Sequence, residues 1–299
     1  MLSYKEIELR DREWMDKLFD MGERGSLEYS FTTNFLWRYA YGHRVARMDN
    51  YLILKMNPQS PRYLFPPGHG DLEPVIEALT EEAAQNGVPL RFGTVLAPDK
   101  ARLETMYPGR FAFESLRDGA DYVYEAQSLA SLQGKKLAGK RNHIRRFLDN
   151  HPDWRYEPIA EENINEVRRM ILKWCIQVGC GDNNDLSDEF CAVEQALRHF
   201  RALRLTGGLI RADGEVIAFS IGDALSTDTY HVHFEKAFGN IQGAYPMINQ
   251  QFVLNNCMDY AFVNREEDAG VPGLRKAKLS YNPHHLVEKY CAIDTTGGV

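Results

Sequence analysis

The dipeptide Asp213-Gly214 separates two apolar runs, LIRA and EVIAFSIG, in the second half of the chain. Aspartate followed by glycine favours a tight hairpin, because both residues tolerate the positive φ of a type I′ turn. A third apolar run, STDTYHVHFEKA, follows, and Gly239 and Gly243 then precede a helical pattern from Tyr245 to about Met258. We therefore predict a three-strand antiparallel meander that leads through a glycine loop into a helix.

The first half has a similar order of elements. A helix near Asp11 to Met21 is followed by a predicted hairpin, with His43–Met48 and Tyr51–Met56 flanking Asp49-Asn50. A length of 299 residues also exceeds the size at which one core usually keeps growing. We predict an α+β fold of two domains, 1–130 and 131–299, each a mixed, mostly antiparallel sheet flanked by helices. The basic segment from Gln127 to Pro152 is the predicted linker.

Composition narrows the class of protein. The net charge of −7 argues against a surface broadly attractive to nucleic acid, although a local basic patch is compatible with it. The five cysteines form no CxxC pair, which predicts free thiols rather than a disulfide framework or a zinc site. No apolar run approaches the roughly 20 residues that span a bilayer. We expect a cytoplasmic protein with no membrane span.

Charged residues are dense between Tyr260 and Tyr290. Three acids occur together, and two glycines then lead into a basic cluster that closes on a tyrosine and a proline: Glu266, Glu267, Asp268, Gly270, Gly273, Arg275, Lys276, Lys278, Tyr281 and Pro283. Such a segment suits a site that positions a charged substrate. A solvated helix face would give the same local pattern.

Five stretches of the chain resemble a known family: SFTTNFLWR, YLFPPG, GKKLAGKRNHIRRF, HFEKAFGNIQGAYPMINQQF and NREEDAGVPGLRKAKLSYNP. They are similar to the soluble family related to the C-terminal domain of phosphatidylglycerol lysyltransferases. Lys278-x-x-Tyr281-x-Pro283 resembles the Lys-x-x-Phe-x-Pro signature of those enzymes. The resemblance implies two tandem acyl-CoA N-acyltransferase (GNAT) folds, the arrangement of Fem-type aminoacyltransferases.

The same resemblance implies an activity. An acyl or aminoacyl group would move from an activated donor, aminoacyl-tRNA or acyl-CoA, to an amine or hydroxyl acceptor. The expected partners are a small-molecule acceptor and a tRNA acceptor end, with no tightly bound cofactor. No stretch of the printed sequence matches the membrane-embedded half of the lipid enzymes, which argues against a lipid acceptor. The alternative is a non-catalytic module that keeps the fold to bind a ligand.

The loop before the predicted helix is the candidate donor site. Acetyl-CoA enzymes of this fold have Gln or Arg, two residues, Gly, one residue, then Gly or Ala. Here the loop keeps the central glycine and contains Asn240, Gln242, Gly243, Ala244 and Tyr245. Backbone N–H groups at a helix start bind phosphate, and Gly243 would let a pyrophosphate approach. An ordinary strand-to-helix loop also needs a glycine.

Strand alternation places His231, His233 and Glu235 on one face. Two histidines and a carboxylate could bind a metal, but the sequence identifies no further ligand, so we expect none. Glu235 is the predicted general base, or the anchor for an incoming ammonium. The alternative is a partly exposed strand carboxylate that pairs with Lys236 or another neighbour.

The remaining candidates follow from the resemblance. Asp268 and Arg275 would hold the acceptor or the aminoacyl group, and Lys278 would recognise a phosphate or carboxyl group. Tyr281 would protonate a leaving group. Substrate contacts are also predicted for residues of the matched segments, namely Lys140, Arg141, Asn264 and Glu266. For the basic segment that includes Lys140 and Arg141, a solvated interdomain helix is the alternative.

Overall fold

The structure, a computed structural model, describes residues 2–19, 25–57 and 59–296. The chain divides into two compact units, residues 1–120 with 287–299, and residues 121–286. In the described residues, no helix is both long and apolar enough to cross a membrane.

The first unit is a seven-stranded sheet with helices. Its helices are α1 (Arg12–Phe19), α2 (Phe31–Leu36), α3 (Glu73–Gln85) and α4 (Ala97–Met106). Its strands are β1 (Lys5–Glu6), β2 (Arg44–Met48), β3 (Tyr51–Met56), β4 (Arg62–Leu64), β5 (Arg91–Leu96), β6 (Phe111–Ser115) and β14 (Lys289–Asp294). The strand order is β1-β2-β3-β4-β5-β14-β6, and β4 and β5 are parallel.

The hairpin predicted around Asp49-Asn50 is confirmed, since β2 and β3 pair antiparallel across it. The helix predicted from Asp11 begins at Arg12, and its predicted end at Met21 lies outside the described residues. One face of α3 packs on the sheet, because apolar residues recur at helical spacing. The buried core includes Tyr51, Ile53, Phe65, Ile76, Leu79 and Phe92.

The second unit contains the predicted meander. Its helices are α5 (Ala126–Ser131), α6 (Ala138–Asn150), α7 (Ile164–Val178), α8 (Asn184–Arg198), α9 (Ala244–Asn256) and α10 (Pro272–Leu279). Its strands are β7 (Asp121–Glu125), β8 (Arg155–Pro158), β9 (Thr206–Ala212), β10 (Glu215–Ala224), β11 (Thr229–Ala237), β12 (Phe262–Asn264) and, at the boundary, β13 (His285–Val287). The order is β13-β7-β12-β11-β10-β9-β8, and β11 and β12 are parallel.

The predicted division at residue 130 is displaced by strand pairing. β7 pairs with β12 and so belongs to the second unit, whereas β14 pairs with β5 and β6 of the first. The segment 127–152 is also not a linker. It forms α5 and α6, which pack against α9, and Ile144 and Phe147 are buried on that side.

A register irregularity in β11 changes which side chains share a face. Ile221 pairs with Phe234, but Gly222 pairs with Val232, so β11 has one extra residue at this point. As a result Tyr230 and Glu235, five residues apart, both contact α9, through Phe252 and Asn249. The predicted common face of His231, His233 and Glu235 is therefore wrong for Glu235.

The cysteines differ in part from the prediction of free thiols. Cys175 and Cys180 form a disulfide across the C-terminal end of α7, where Gly179 adopts the left-handed conformation. Cys191, Cys257 and Cys291 are free. Cys175 and Cys180, five positions apart, can form this disulfide because the turn after α7 brings their Cα atoms to 5.2 Å from each other.

Candidate functional site

A cavity of about 410 Å³ opens between α6 and α10 in the second unit. Its lining residues are Lys136, Gly139, Lys140, His143, Gly273, Lys276, Ala277 and Ser280. We call this cavity the basic pocket. Glycine and alanine leave room in its walls, and the three lysines have no carboxylate beside them in the lining. Such a pocket suits an anionic group such as a phosphate.

Lys140 connects the basic pocket to an aromatic ring. Its Nζ lies 3.9 Å from the centroid of the Tyr281 ring, and the Arg265 guanidinium carbon lies 4.8 Å from the same centroid. Burial, followed by the positive charge of Arg265, lowers the pKa of Lys140 to about 8. Both protonation states of Lys140 are consequently populated near neutral pH.

The ring of Tyr281 is buried, and burial raises the pKa of its hydroxyl well above the ordinary value. Tyr281 therefore stays protonated and is a weaker acid than Lys140. Its ring holds the cations of Lys140 and Arg265 by their attraction to the aromatic face. The predicted role of Tyr281 as a proton donor stays a prediction.

The carboxylate of Glu235 accepts hydrogen bonds from two protein side chains. Its Oε1 accepts from Arg265 Nη2 at 2.7 Å, and its Oε2 accepts from Asn249 Nδ2 at 2.9 Å. The side chains of Arg265 and Glu235 are only 11% and 12% exposed. Within the described residues, the buried Nη1 of Arg265 has no hydrogen-bond partner. The pair thus leaves one guanidinium donor for another acceptor.

The glycine loop has a packing role. Gly243 has φ +85°, and a Cβ at this position would lie 2.3 Å from the carbonyl oxygen of His143 and 2.9 Å from Cβ of Phe147. The space that the prediction reserved for a pyrophosphate at Gly243 is thus occupied by α6. Asn240 and Gln242 are exposed, Ala244 is buried, and the Tyr245 hydroxyl bonds the Ala237 backbone and Trp174.

Two of the predicted substrate ligands form a structural ion pair. Arg275 donates to both carboxylate oxygens of Asp268 at 2.8 and 2.7 Å. Tyr122 and the backbone N–H of Gly270 also donate to Asp268, which is fully buried. The hydrogen bonds from Arg275 hold the pKa of Asp268 well below its usual range. The pair fixes the start of α10, and thereby one wall of the basic pocket.

Lys278 and Arg141 also bond to backbone. The Nζ of Lys278 donates to the carbonyl of Arg265 at 2.5 Å and to that of Glu267, and the residue is buried. Arg141 donates to the carbonyls of Leu132 and Gly134 after the end of α5. These bonds satisfy backbone groups that a turn leaves open, and the predicted substrate contacts of both residues stay predictions.

Asn264 and Glu266 lie in buried polar contacts. Asn264 Nδ2 donates to Asp121 at 3.0 Å, and Oε1 of Glu266 lies 3.0 Å from Nε2 of His231. Burial raises the pKa of Glu266 to about 7. Neither side chain lines the basic pocket.

The structure thus brings together Lys140, Glu235 and Tyr281 from the predicted set. Sequence reasoning missed Arg265, which joins Glu235 to Tyr281, and it assigned no site role to the pocket residue His143. Lys136 and Lys276 were part of basic segments that the sequence already suggested for phosphate or charged-substrate binding. The position of Arg265 directly after β12 is a signal that could have identified it, since side chains at strand ends often form sites.

Comparison with known proteins agrees with this architecture. A solved structure of a conserved protein of unknown function from Bacteroides thetaiotaomicron is 38% identical, with a TM-score of 0.93, and the match covers 99% of this chain and 100% of that one. The C-terminal domain of a putative lysylphosphatidylglycerol synthetase from Agrobacterium fabrum has a TM-score of 0.64 at 14% identity, covering 94% and 91% of the two chains. The predicted α+β architecture of two units, each a mixed, mostly antiparallel sheet flanked by helices, is confirmed, and this fold is shared with the Agrobacterium fabrum domain.

An uncharacterized protein from Mycoplasmoides gallisepticum is 24% identical over 183 residues, and the match spans 57% of this chain and 54% of that protein. The family model for the C-terminal region of phosphatidylglycerol lysyltransferase matches residues 20–293. The name of this family refers to lysyl transfer. With nearly its whole length matched, the chain belongs to the phosphatidylglycerol lysyltransferase C-terminal family.

Proposed function

We propose that the second unit transfers an aminoacyl group from aminoacyl-tRNA to an amine or hydroxyl acceptor. The basic pocket would hold phosphates of the tRNA 3′ end, and this pocket is the observation that carries the proposal. Lys136, Lys140 and Lys276 line it. Phosphate groups provide most of the affinity of proteins for RNA and DNA, and lysines bind them as point charges.

The tRNA donor is favoured over a CoA thioester for two reasons. The family name refers to lysyl transfer, and α6 occupies the position beside Gly243 where a CoA pyrophosphate would approach. His143 of α6 packs against Gly243 and also lines the basic pocket. The donor phosphates would therefore lie in the basic pocket, on the side of His143 opposite Gly243.

The reaction forms one bond and breaks one. The acceptor nitrogen or oxygen attacks the carbonyl carbon of the aminoacyl ester, and the bond from that carbon to the tRNA ribose oxygen breaks. One proton leaves the acceptor and one joins the ribose oxygen. Lys140, with a pKa of about 8, can take the proton as the neutral amine and return it as the ammonium.

Arg265 and Glu235 would position the reacting groups. The buried Nη1 of Arg265 is suited to hydrogen-bond the oxyanion of the tetrahedral intermediate, because a donor held in a dry site stabilises charge as it develops. Glu235 keeps the guanidinium in place, and its negative charge also suits the ammonium of the aminoacyl group.

Lysyl-tRNA is the donor for the test, with radiolabelled lysine. One arm supplies phosphatidylglycerol vesicles, a second supplies small amines and hydroxyl compounds, and a third replaces the donor with acetyl-CoA. Label in either acceptor supports the proposal. Transfer from acetyl-CoA alone overturns the tRNA donor, and RNA binding without transfer in any arm indicates the non-catalytic module.

Lys140→Met is expected to lower transfer by roughly 10²-fold or more, the usual loss when a group that moves a proton is removed. Lys173→Met, in an exposed ion pair on α7, is the matched control and should leave transfer unchanged. Binding of an RNA oligonucleotide ending in CCA should weaken as the pH rises through about 8, because Lys140 then loses its charge. Lys140→Arg should abolish that pH dependence, and its persistence would assign it to another group.

A further inference from the structure

Two histidines and two carboxylates form a buried cluster in the second unit that the proposed transfer does not use. His231 and His233 lie on β11 with their ring centroids 4.0 Å apart. Asp223 lies on β10, and Glu266 follows β12. The side chains of His231 and His233 are fully buried, and those of Asp223 and Glu266 are 6% and 21% exposed.

The contacts of His233 fix its tautomer. Its Nε2 lies 2.9 Å from Oδ1 of Asp223, so the proton is on Nε2 and is donated to the carboxylate. The lone pair is then on Nδ1. In the described part of the chain, Nδ1 of His233 has no hydrogen-bond partner although it is buried. A buried acceptor without a partner is rare in folded proteins and calls for an explanation.

The unsatisfied nitrogen faces other ligand atoms. Oε1 of Glu266 lies 3.9 Å from Nδ1 of His233 and 3.0 Å from Nε2 of His231. Two ligands at about 2.0–2.2 Å from one metal ion lie no more than about 4.4 Å apart. Both distances satisfy this limit. Asp223 is the second carboxylate of the cluster, since its ligand atoms and those of the two histidines lie within 4.8 Å of one another.

We propose that this cluster binds one divalent transition-metal ion through His231 Nε2, His233 Nδ1 and Glu266 Oε1. Asp223 then accepts a hydrogen bond from Nε2 of His233, the ring nitrogen that does not bind the metal. A carboxylate that accepts from the second ring nitrogen of a ligating histidine is a regular feature of protein metal sites, where it orients the ring and raises its basicity. Two imidazoles and a carboxylate suit Zn²⁺, Co²⁺ or Fe²⁺.

The charges around the cluster are compatible with a cation. The positive charge of Lys278 acts on Glu266, and the Lys278 ammonium donates to the carbonyls of Arg265 and Glu267. Three carboxyl groups oppose this positive charge, those of Asp223, Glu266 and the neighbouring Asp121. A metal ion would tie β11 to the segment after β12, which includes Arg265.

The first experiment measures metal content. The protein is expressed without a histidine tag in zinc-supplemented medium, so that the ion enters during folding, and is then analysed for zinc. We expect about one Zn²⁺ per chain in the wild type and a loss of about tenfold or more in His233→Gln. His43→Gln removes another buried histidine, in the first unit, and should retain the metal. Asp223→Asn should weaken Zn²⁺ affinity by about 10–100-fold.

Co²⁺ provides a second measurement that does not depend on a variant. Wild-type protein expressed with Co²⁺ should show the visible absorption of Co²⁺ with nitrogen and oxygen ligands, and His43→Gln should show the same bands. This spectrum tests the site even where His233→Gln fails to fold. Wild-type protein with neither zinc nor a Co²⁺ spectrum, or a folded His233→Gln variant with wild-type metal content, overturns the proposal.

Discussion

Replacing Gly243 by alanine tests why a glycine is needed at this loop. The added Cβ would lie 2.3 Å from the carbonyl oxygen of His143, which belongs to the backbone of α6 and cannot move away alone. The residue would also keep a φ of +85°, which L-residues rarely adopt. Packing and backbone conformation therefore both oppose the substitution.

Two other glycines of the second unit separate these contributions. Gly214 has φ +77° and nothing within 4 Å of its Cβ position, so Gly214→Ala adds only the backbone strain of about 1–2 kcal/mol. Gly239, in the same loop as Gly243, has open space and no positive φ. Gly243→Ala adds an overpacking cost of about 1–3 kcal/mol to the strain, or about 2–5 kcal/mol in total.

Urea unfolding is the assay, with Trp14 and Trp37 replaced by Phe so that Trp154 and Trp174 report the second unit. At a slope of about 2–3 kcal/mol per molar urea, Gly243→Ala should lower the midpoint by about 1–2 M. Gly239→Ala should leave it unchanged. A Gly243→Ala variant no less stable than Gly214→Ala would refute the packing argument, and weaker CoA binding at unchanged stability would restore the phosphate loop.

The remaining predictions concern an ion pair and an aromatic ring. Arg211 lowers the pKa of Glu157 from 4.5 to about 2, so its stabilisation is complete above pH 4.5 and is lost as the pH falls toward 2. Glu157→Gln should therefore lower the free energy of unfolding by about 1–3 kcal/mol at pH 7, as measured by urea unfolding. The difference between variant and wild type should shrink as the pH falls from 4.5 toward 2. A difference that does not change with pH would show that the ion pair contributes nothing. Tyr281→Phe keeps the ring and should retain lysyl transfer, whereas Tyr281→Leu should lose at least tenfold; a folded, inactive Tyr281→Phe would show that the hydroxyl acts in the reaction.

The sequence predicted elements that depend on local pattern. The meander around Asp213-Gly214 and the helix after Gly243 are both present, because turn chemistry and apolar periodicity act over a few residues. The basic segment 127–152 was misassigned, since its charge density hid Ile144 and Phe147, whose spacing of three residues places them on one helix face.

Pairing between strands that are distant in the sequence was harder to predict. No local signal announces that β14 inserts between β5 and β6, and the extra residue in β11 depends on its pairing with β10. The prediction of site residues was incomplete for the same reason. Glu235 was found, but its partner Arg265 was not, because their proximity arises from the pairing of β11 with β12.

The insertion of β14 has a consequence for biosynthesis. Residues 289–294 occupy an interior position in the first sheet, so β5 and β6 lack their common neighbour until that part of the chain has left the ribosome. Residues 121–286, which are continuous, are available earlier as a complete set. Since domains tend to fold as they emerge, the unit encoded second is expected to reach its native state first. Nascent chains halted before residue 289 would expose two unpaired strand edges, the surfaces most prone to aggregation.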